Sequence, residues 1–378
     1  MILSAEQEQV RDSVREFARA ELAPGAAQRD REGVFPREAL KRAAALGLFG
    51  VTVPEAWGGA GLDTVSLSLA LEEIAAADGA ASTILSVNNS VVCGPLLAFG
   101  TDAQKERWLR PLASGALLGC FCLTEPQAGS DAAAITTSAR RDGDSWVLRG
   151  TKQFITSGRN ADIAIVFAVT DRAAGKKGIS AFVVPTSTSG YVVARLEDKL
   201  GQRASDTAQI VFDDCRIPAD HLLGAEGAGY RIALSNLEGG RIGIASQAVG
   251  MARAALDAAV AYAGERRQFG KPIIEHQAVA FRLADMATQI EAARQMTHHA
   301  AALRDAGRPC LREASMAKLF ASEIAERVCS DAIQIHGGYG YLADFPVERI
   351  YRDVRVCQIY EGASDIQRLL IARGLAGE

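Results

Sequence analysis

The sequence is poor in the residues on which most metal and nucleophile chemistry rests. Its 378 residues include five histidines, three tryptophans and five methionines, and aromatic residues make up 6%. There is no H-E-x-x-H zinc pair, no phosphate loop ending in Gly-Lys-Ser/Thr and no G-x-S-x-G elbow. Gly227-Ala-Gly229 is followed by Tyr230, Arg231 and Ile232, so the dinucleotide fingerprint G-x-G-x-x-G fails at its third glycine. His298 and His299 are neighbours on a helical stretch and diverge by about 100°, which reads as a solvated helix face; no metal site is expected. No run of ~18 apolar residues suggests a membrane span. The start, MILSAEQEQVRDSVREF, is polar from its fourth residue and has no secretory h-region. The seven cysteines are odd in number and scattered, only Cys120 and Cys122 lying close, so buried free thiols in a reducing, cytoplasmic setting are expected. A formal net charge of −4 lacks the basic excess of a nucleic-acid binder.

At this length more than one hydrophobic core is expected, and the chain changes character twice. Residues 1–118 read as helical. Ser4 to Gln7 is a capping-box pattern followed by Val10, Val14 and Phe17 at helical spacing; Pro36 opens a second helix that should stop at Gly47; Thr101 caps a later one carrying Trp108. Residues 119–225 switch to short β-branched and aromatic runs (WVLRGTKQFIT, ADIAIVFAVT, GISAFVVPT, YVVARLE, AQIVFDDCRIP) set apart by Gly, Asp, Ser and Pro. These predict an antiparallel sandwich or small barrel. Residues 226–378 return to long alanine-rich helices near 229–264, 275–306 and 311–336, predicting a C-terminal four-helix bundle. The fold class is α+β in three domains.

Three segments stand out. FCLTEPQAGSD at 121–131 bends between the helical and β parts, and its N–H groups and hydroxyls suit a heteroaromatic ring's carbonyls and nitrogens; it reads equally as a linking turn. QIHGGYGY at 334–341 follows a long helix, where paired glycines admit close backbone approach to a ligand or simply cap the helix. In IYEGASDIQR at 359–368, Glu361 lies between an apolar approach and small residues, where desolvation would raise its pKa toward that of a base. In isolation such a Glu is also an ordinary surface residue.

Taken together and in this order, the segments resemble the acyl-CoA dehydrogenase family over essentially the whole chain. VPEAWGGAGLD, SVNNS, KLGQRASDTAQIVFDDCRIP, GRIGIASQAVGMA and FPVERIYRDVR add to the match, which is nearest the short-chain, butyryl-CoA branch. The resemblance implies an FAD-dependent enzyme of fatty-acid β-oxidation that converts a short acyl-CoA to the trans-2-enoyl-CoA. A carboxylate takes the α-proton and the β-hydrogen leaves as hydride to flavin N5. Glu361 occupies the base position. Other branches carry the base immediately before an arginine that resembles Arg241, and here that position is Gly240.

By the same resemblance, Phe121, Cys122, Leu123, Thr124, Gly129 and Ser130 bind flavin, as do Phe154, Ile155 and Thr156, with Phe154 where Trp is usual. Ser130 also meets pantetheine. Glu238, Gly239, Gly240 and Arg241 form the substrate stretch, and Tyr360 and Gly362 flank the acyl thioester. Arg266, Phe269 and Gln277 reach a neighbouring subunit's FAD, and Gln334, Ile335, His336, Gly337 and Gly338 its adenosine diphosphate. Ala363, Ser364 and Asp365 complete the flavin contacts, Ala363 standing where Thr is common and so lacking a hydroxyl. Expected partners are an electron-transferring flavoprotein and three further copies in a homotetramer, a dimer of dimers. In the short-chain-like stretch Thr83–Val87, Ile84 and Val87 are expected to form the acyl-pocket floor. An acyl-CoA oxidase or a dehydrogenase of acyl groups on a carrier protein is the alternative chemistry, and a non-enzymatic binding protein the alternative class.

Overall fold

The computed structural model describes residues 1–376. The N-terminal helical part begins with α1 (Ala5–Phe17), whose Ser4/Gln7 capping box forms as predicted. It continues through the wide turn Ala18–Leu22 into α2 (Ala23–Glu32). Then come α3 (Arg37–Ala45), entered from Pro36, α4 (Thr64–Ala77) and α5 (Gly79–Val87), the last two capped by Asp63 and Asp78. A second wide turn, Asn88–Cys93, leads to α6 (Gly94–Phe99), and Thr101 caps α7 (Asp102–Gln104), which runs on through Trp108 to α8 (Arg110–Ala113). Gly79–Phe99 is long and apolar enough to cross a membrane by length and composition, but 67% of its most apolar 18-residue window is buried inside the protein, as in a core helix.

The middle part is an eight-stranded sheet. Its strands are β1 (Gly119–Cys122), β2 (Ser138–Asp142), β3 (Ser145–Thr156), β4 (Ile163–Val169), β5 (Ile179–Pro185), β6 (Tyr191–Leu196), β7 (Thr207–Pro218) and β8 (Leu222–Leu223). Their order is β6-β7-β3-β2-β4-β5-β8, with β1 also on β4. The expectation of an antiparallel sheet is corrected here, because β1 lies parallel to β4 (Gly119 opposite Ile163) and β2 meets β4 in parallel at Ser138 and Val169. The β2–β3 hairpin and its turn carry the chain back to the same end before β4 begins, so β4 starts in the direction of β1. Elsewhere pairing is antiparallel, and register shifts in β3 against β7 fall between Leu148 and Gly150 and between Lys152 and Ile155. The second shift is a bulge, which re-aims side chains at a strand's end; it turns Phe154 outward at φ +59° and 63% exposure.

The C-terminal part holds α9 (Gly229–Glu265), then a two-stranded ribbon of β9 (Arg267–Gln268) and β10 (Lys271–Pro272). Next come α10 (Gln277–Asp305), α11 (Leu311–His336), α12 (Pro346–Val354) and α13 (Ser364–Ala376). Small residues allow α9, α10 and α11 to pack closely: Ala252, Ala255, Ala259, Ala293, Ala317, Ala321 and Ala325 are all fully buried in one core. Val65, Leu69 and Ala75 of α4 enter that core too, fastening the first domain to the third. All seven cysteines are buried and free. Among the described residues no cluster could hold a metal. His299 is solvated as expected, but His298 is buried, because the helix turns it inward beside Ala300 and Ala301.

Candidate active site

The link between α12 and α13 reverses through two residues in the left-handed region, Glu361 at φ +55° and Gly362 at φ +92°. For glutamate this is an uncommon conformation and marks a place where surrounding structure fixes the backbone. The Gly362 carbonyl receives two buried donors, Lys318 Nζ of α11 at 2.6 Å and Gln367 Nε2 at 2.8 Å. The Glu361 N–H has no acceptor among the described residues. Upstream, Gln358 donates to the Ser322 carbonyl at 3.3 Å, a further tie of the segment to α11.

The reversal carries the Glu361 carboxylate against α9 at Gly240. A Cβ added to Gly240 would lie 2.5 Å from Glu361 Oε2 and 2.9 Å from its Cδ, so any larger residue would displace the carboxylate from this position. Oε2 is buried with no hydrogen-bond partner. Burial pushes the carboxyl up to about 7, against the pull of Arg241 and Lys318. Arg241 is itself buried, with Nε unpartnered, and burial draws its guanidinium downward while Glu361 and Glu238 hold it up. A desolvated carboxylate that titrates near neutrality, with room beside it and a free N–H on the same residue, is equipped to move a proton on a neutral substrate. Glu238 is half-buried and meets the Cys310 thiol at 3.8 Å.

Two cavities flank this point. One, of about 350 Å³, runs between α4, the 88–99 stretch and α9, along Gly239, Ile242 and Gly243, with Leu67 and Leu71 on its far wall and Arg304 among its lining residues. Ile84 and Val87 line neither cavity: Ile84 is in the core shared with α1 and α4, and Val87 packs on a different cluster. The other cavity, about 320 Å³, lies between Phe154, Thr156, Ile359, Tyr360 and Thr83. Beneath it is a buried polar knot in which the Tyr360 hydroxyl donates to Gln247 Oε1 at 2.7 Å and the Thr83 hydroxyl to Gln202 Oε1 at 2.7 Å. Asp353 accepts from the Gln202 N–H at its base.

The structure brings the 121–130 and 154–156 segments together. The Gln153 N–H donates to the Thr124 carbonyl at 2.8 Å, and buried Lys152 joins the Leu123 carbonyl at 2.9 Å to Glu125 Oε1 at 2.7 Å. Phe121 packs against Phe167 at 4.9 Å between centroids, and Gly129 and Ser130 are exposed. The side chains of Cys122 and Ile155 are buried in the sheet's core, because alternate strand residues face opposite sides, and only their backbone is left to meet a ligand. Ser364 Oγ is buried without a partner, Asp365 is exposed, and Ala363 accepts α13 amides through its carbonyl.

Arg266, Phe269, Ile335, His336, Gly337 and Gly338 gather around a separate cavity of about 630 Å³, none of whose residues lines the other two. Phe269 projects at 93% exposure. His336 stacks on Tyr262 at 4.3 Å and gives Nδ1 to the Ala332 carbonyl at 2.8 Å, and its burial disfavours the charged form. Gln277 and Gln334 sit exposed at the ends of α10 and α11 and are not among this cavity's lining residues. Sequence reasoning missed Tyr262, Tyr339, Gln202, Gln247, Arg304 and Lys318, all of which owe their places to tertiary packing. Buried lysine in a helix gives no sequence signal, although TyrGlyTyr after the paired glycines marked an aromatic surface at Tyr339.

Comparison with known proteins follows the same three-part division. Residues 4–116, 120–215 and 227–376 match, respectively, the acyl-CoA dehydrogenase N-terminal, middle and C-terminal domain families. The chain is 52% identical over 96% of its length to the mitochondrial short-chain specific acyl-CoA dehydrogenase of Mus musculus, covering 88% of that protein. It is similar in structure to butyryl-CoA dehydrogenase from Megasphaera elsdenii, with TM-score 0.98 and 43% identity over 100% of this chain and 99% of that one. A chain solved in work on the electron transferring flavoprotein of Acidaminococcus fermentans and flavin-based electron bifurcation matches with TM-score 0.99, 45% identity and 100% of both chains.

Proposed function

This chain belongs to the acyl-CoA dehydrogenase family of oxidoreductases, and on that premise we propose that it oxidises a short-chain acyl-CoA to the trans-2-enoyl-CoA with Glu361 as the base. The observation that carries the assignment is the Glu361 carboxylate, buried without a partner in the space that Gly240 leaves open. The family is FAD-dependent, and the residues present fit a flavin: the 320 Å³ cavity has apolar walls at Phe154, Val356 and Ile359 and polar groups at Thr156 and Gln202. Phe121 to Ser130 and Phe154 to Thr156 would hold its ring, and it would supply an acceptor at N5 for the β-hydrogen leaving as hydride.

The chain's own residues do the rest. The α-hydrogen beside a thioester is a weak acid, so proton removal needs both a base and stabilisation of charge developing on the thioester oxygen. Glu361 supplies the first from its side chain and the second from its free N–H. Burial excludes water from Oε2 and keeps the carboxyl near neutrality. The 350 Å³ cavity, which passes Gly239 next to Gly240 and Gly243 about one turn further on, would take the acyl chain, with Leu71, Ile242 and Leu67 limiting its depth.

An electron-transferring flavoprotein is the proposed acceptor, supported by the likeness to the Acidaminococcus chain. A homotetramer is proposed as the assembly; exposed Phe269, Tyr341 and the outward Val192 and Val193 of β6 support burial of these surfaces by further copies. The test is dye reduction and oxygen consumption measured with acyl-CoAs from C4 to C12 plus branched C4 and C5 chains. The reading expects Glu361→Gln to retain yellow FAD and bind butyryl-CoA while losing at least ~10²-fold in turnover. A Gln variant within about tenfold of wild type would reject Glu361 as the base.

A further inference from the structure

Lys318 is a fully buried cation beside the site that proton transfer does not use. It projects from α11, has no solvent exposure, and makes no ion pair among the described residues. Its Nζ spends its short 2.6 Å bond on the carbonyl of Gly362, the residue directly after Glu361. Gln367, also fully buried, doubles that grip at 2.8 Å. A lysine with four methylenes costs ordering entropy and desolvation when buried, and one neutral carbonyl is a weak return for both. The carbonyl's position explains it: Glu361 and Gly362 hold consecutive positive φ angles, and this carbonyl is the atom that must be fixed for the reversal to persist.

We propose that Lys318 is a positioning residue for the base: it clamps the Gly362 carbonyl from α11, locks the left-handed Glu361–Gly362 reversal, and so holds the carboxylate against Gly240 with a positive charge behind it. The inference rests on the reading of Glu361 as the base. The charged and titratable groups facing this point are Arg241 and Glu238 of α9, Lys318 of α11, Cys310 before it, and Cys357 and Tyr360 on the incoming segment. Burial pulls the Lys318 ammonium down to about 8, which leaves it mostly charged at neutral pH, and its charge works with Arg241 to keep Glu361 from rising further.

The experiment compares FAD-loaded wild type with Lys318→Met, Lys318→Gln and Lys318→Arg, using butyryl-CoA and dye reduction from pH 5.5 to 9. Lys318→Met should move the acid limb of kcat to higher pH by roughly one unit, so kcat falls about fivefold near pH 7, approaches a tenfold loss near pH 5.5, and recovers in base. KM for butyryl-CoA and FAD content should stay within about threefold. Lys318→Gln, which keeps a donor without charge, should move the limb in the same direction, and Lys318→Arg should restore it. An unmoved limb with kcat within about twofold overturns the proposal. So does an equal loss at every pH accompanied by FAD release, or failure of all three variants to fold, since either makes Lys318 a packing element. If wild type itself oxidises no acyl-CoA, the functional reading fails separately. The clamp is then judged in substrate-free protein from the pH dependence of the thermal midpoint, Glu361→Gln against parent. In the Lys318→Met background that difference should titrate at higher pH, and an unchanged titration overturns it.

Discussion

Replacing Lys152 by methionine should loosen the flavin-facing edge of the sheet. The side chains of Lys152 and Glu125 are 0% and 1% exposed, and their atoms meet at 2.7 Å. Losing the ammonium leaves the Glu125 carboxylate with four neutral donors: the Thr136 N–H and Gln127 amide at 2.7 Å, and the Thr136 hydroxyl and Thr137 N–H at 3.0 Å. Breaking a buried pair costs about 3–5 kcal/mol. Independently, burial would raise the Glu125 carboxyl, yet the Lys152 charge and hydrogen bond, together with hydrogen bonds from Thr137 and Thr136, bring it from 4.5 to about 2, about 3 kcal/mol in all, of which Lys152 supplies a part. The surviving donors favour the lower figure. Because the folded-state pKa is depressed, this stabilisation is complete above about pH 4.5 and vanishes as pH falls through about 2, so a measurement at pH 7 sees all of it. Three packed domains need not unfold in one step, so amide hydrogen exchange of β3 and β7 is the primary assay, with the thermal midpoint beside it. Exchange in both strands should accelerate, and FAD should be lost on gel filtration, because the pair ties the 121–130 segment to the bulge at Phe154. The double change Lys152→Met with Glu125→Gln should regain part of the loss, since it removes the stranded charge while an amide oxygen still accepts from Thr136 and Thr137. Unchanged exchange in the single variant, or a double variant worse than the single, refutes the reasoning.

Gly240→Ala would place a Cβ 2.5 Å from Glu361 Oε2, and kcat for butyryl-CoA should fall on the order of a hundredfold with FAD retained; unchanged kcat would show that the carboxylate works elsewhere. Leu71→Ala should deepen the 350 Å³ cavity and raise the kcat/KM ratio of hexanoyl- to butyryl-CoA by about fourfold per methylene accommodated, whereas an unaltered ratio removes Leu71 from the floor. Burial pushes the Asp353 carboxyl up to about 7, with Arg349 opposing and Asp30 and Asp78 adding to the rise. A raised folded-state pKa contributes stability that is full below about pH 3.8 and lost as pH climbs to about 7. The thermal midpoint of Asp353→Asn relative to wild type should therefore improve from pH 4 to pH 8, and a difference that is flat or falls with pH contradicts this.

Much of this architecture was legible because it is local. Caps at Ser4 and Thr101, Pro36 ahead of α3, and long runs of alanine bounded by Gly-Lys-Pro and Gly-Arg-Pro state where helices begin and end within a few residues of themselves. β1 and β2 were not legible as strands: each has only four or five residues, and their parallel contacts with β4 depend on partners about 30 to 45 positions away. Glu361 stood out through the resemblance, but the sequence left its burial and its exposure both open, since the choice depends on Gly240 lying 121 positions earlier. Ile84 misled because β-branching near a pocket reads like a pocket wall, while the helix turns that side chain into the core. His298 misled in the same way and Lys318 gave no signal, both being polar residues in helices whose solvent-facing stripe is set by neighbours rather than by their own type.

The single volume shared by the Glu361 carboxylate and the missing Cβ of Gly240 also has an evolutionary consequence. A side chain that arises at 240 while Glu361 is present enters occupied space, and a Glu361 lost while 240 is still glycine leaves the site without a proton acceptor. Each single step is expected to cost activity, so the two positions should change together, as one character with two letters. Sequences that carry a carboxylate at one of them should carry a small or neutral residue at the other, and intermediates holding both or neither should be rare among active descendants.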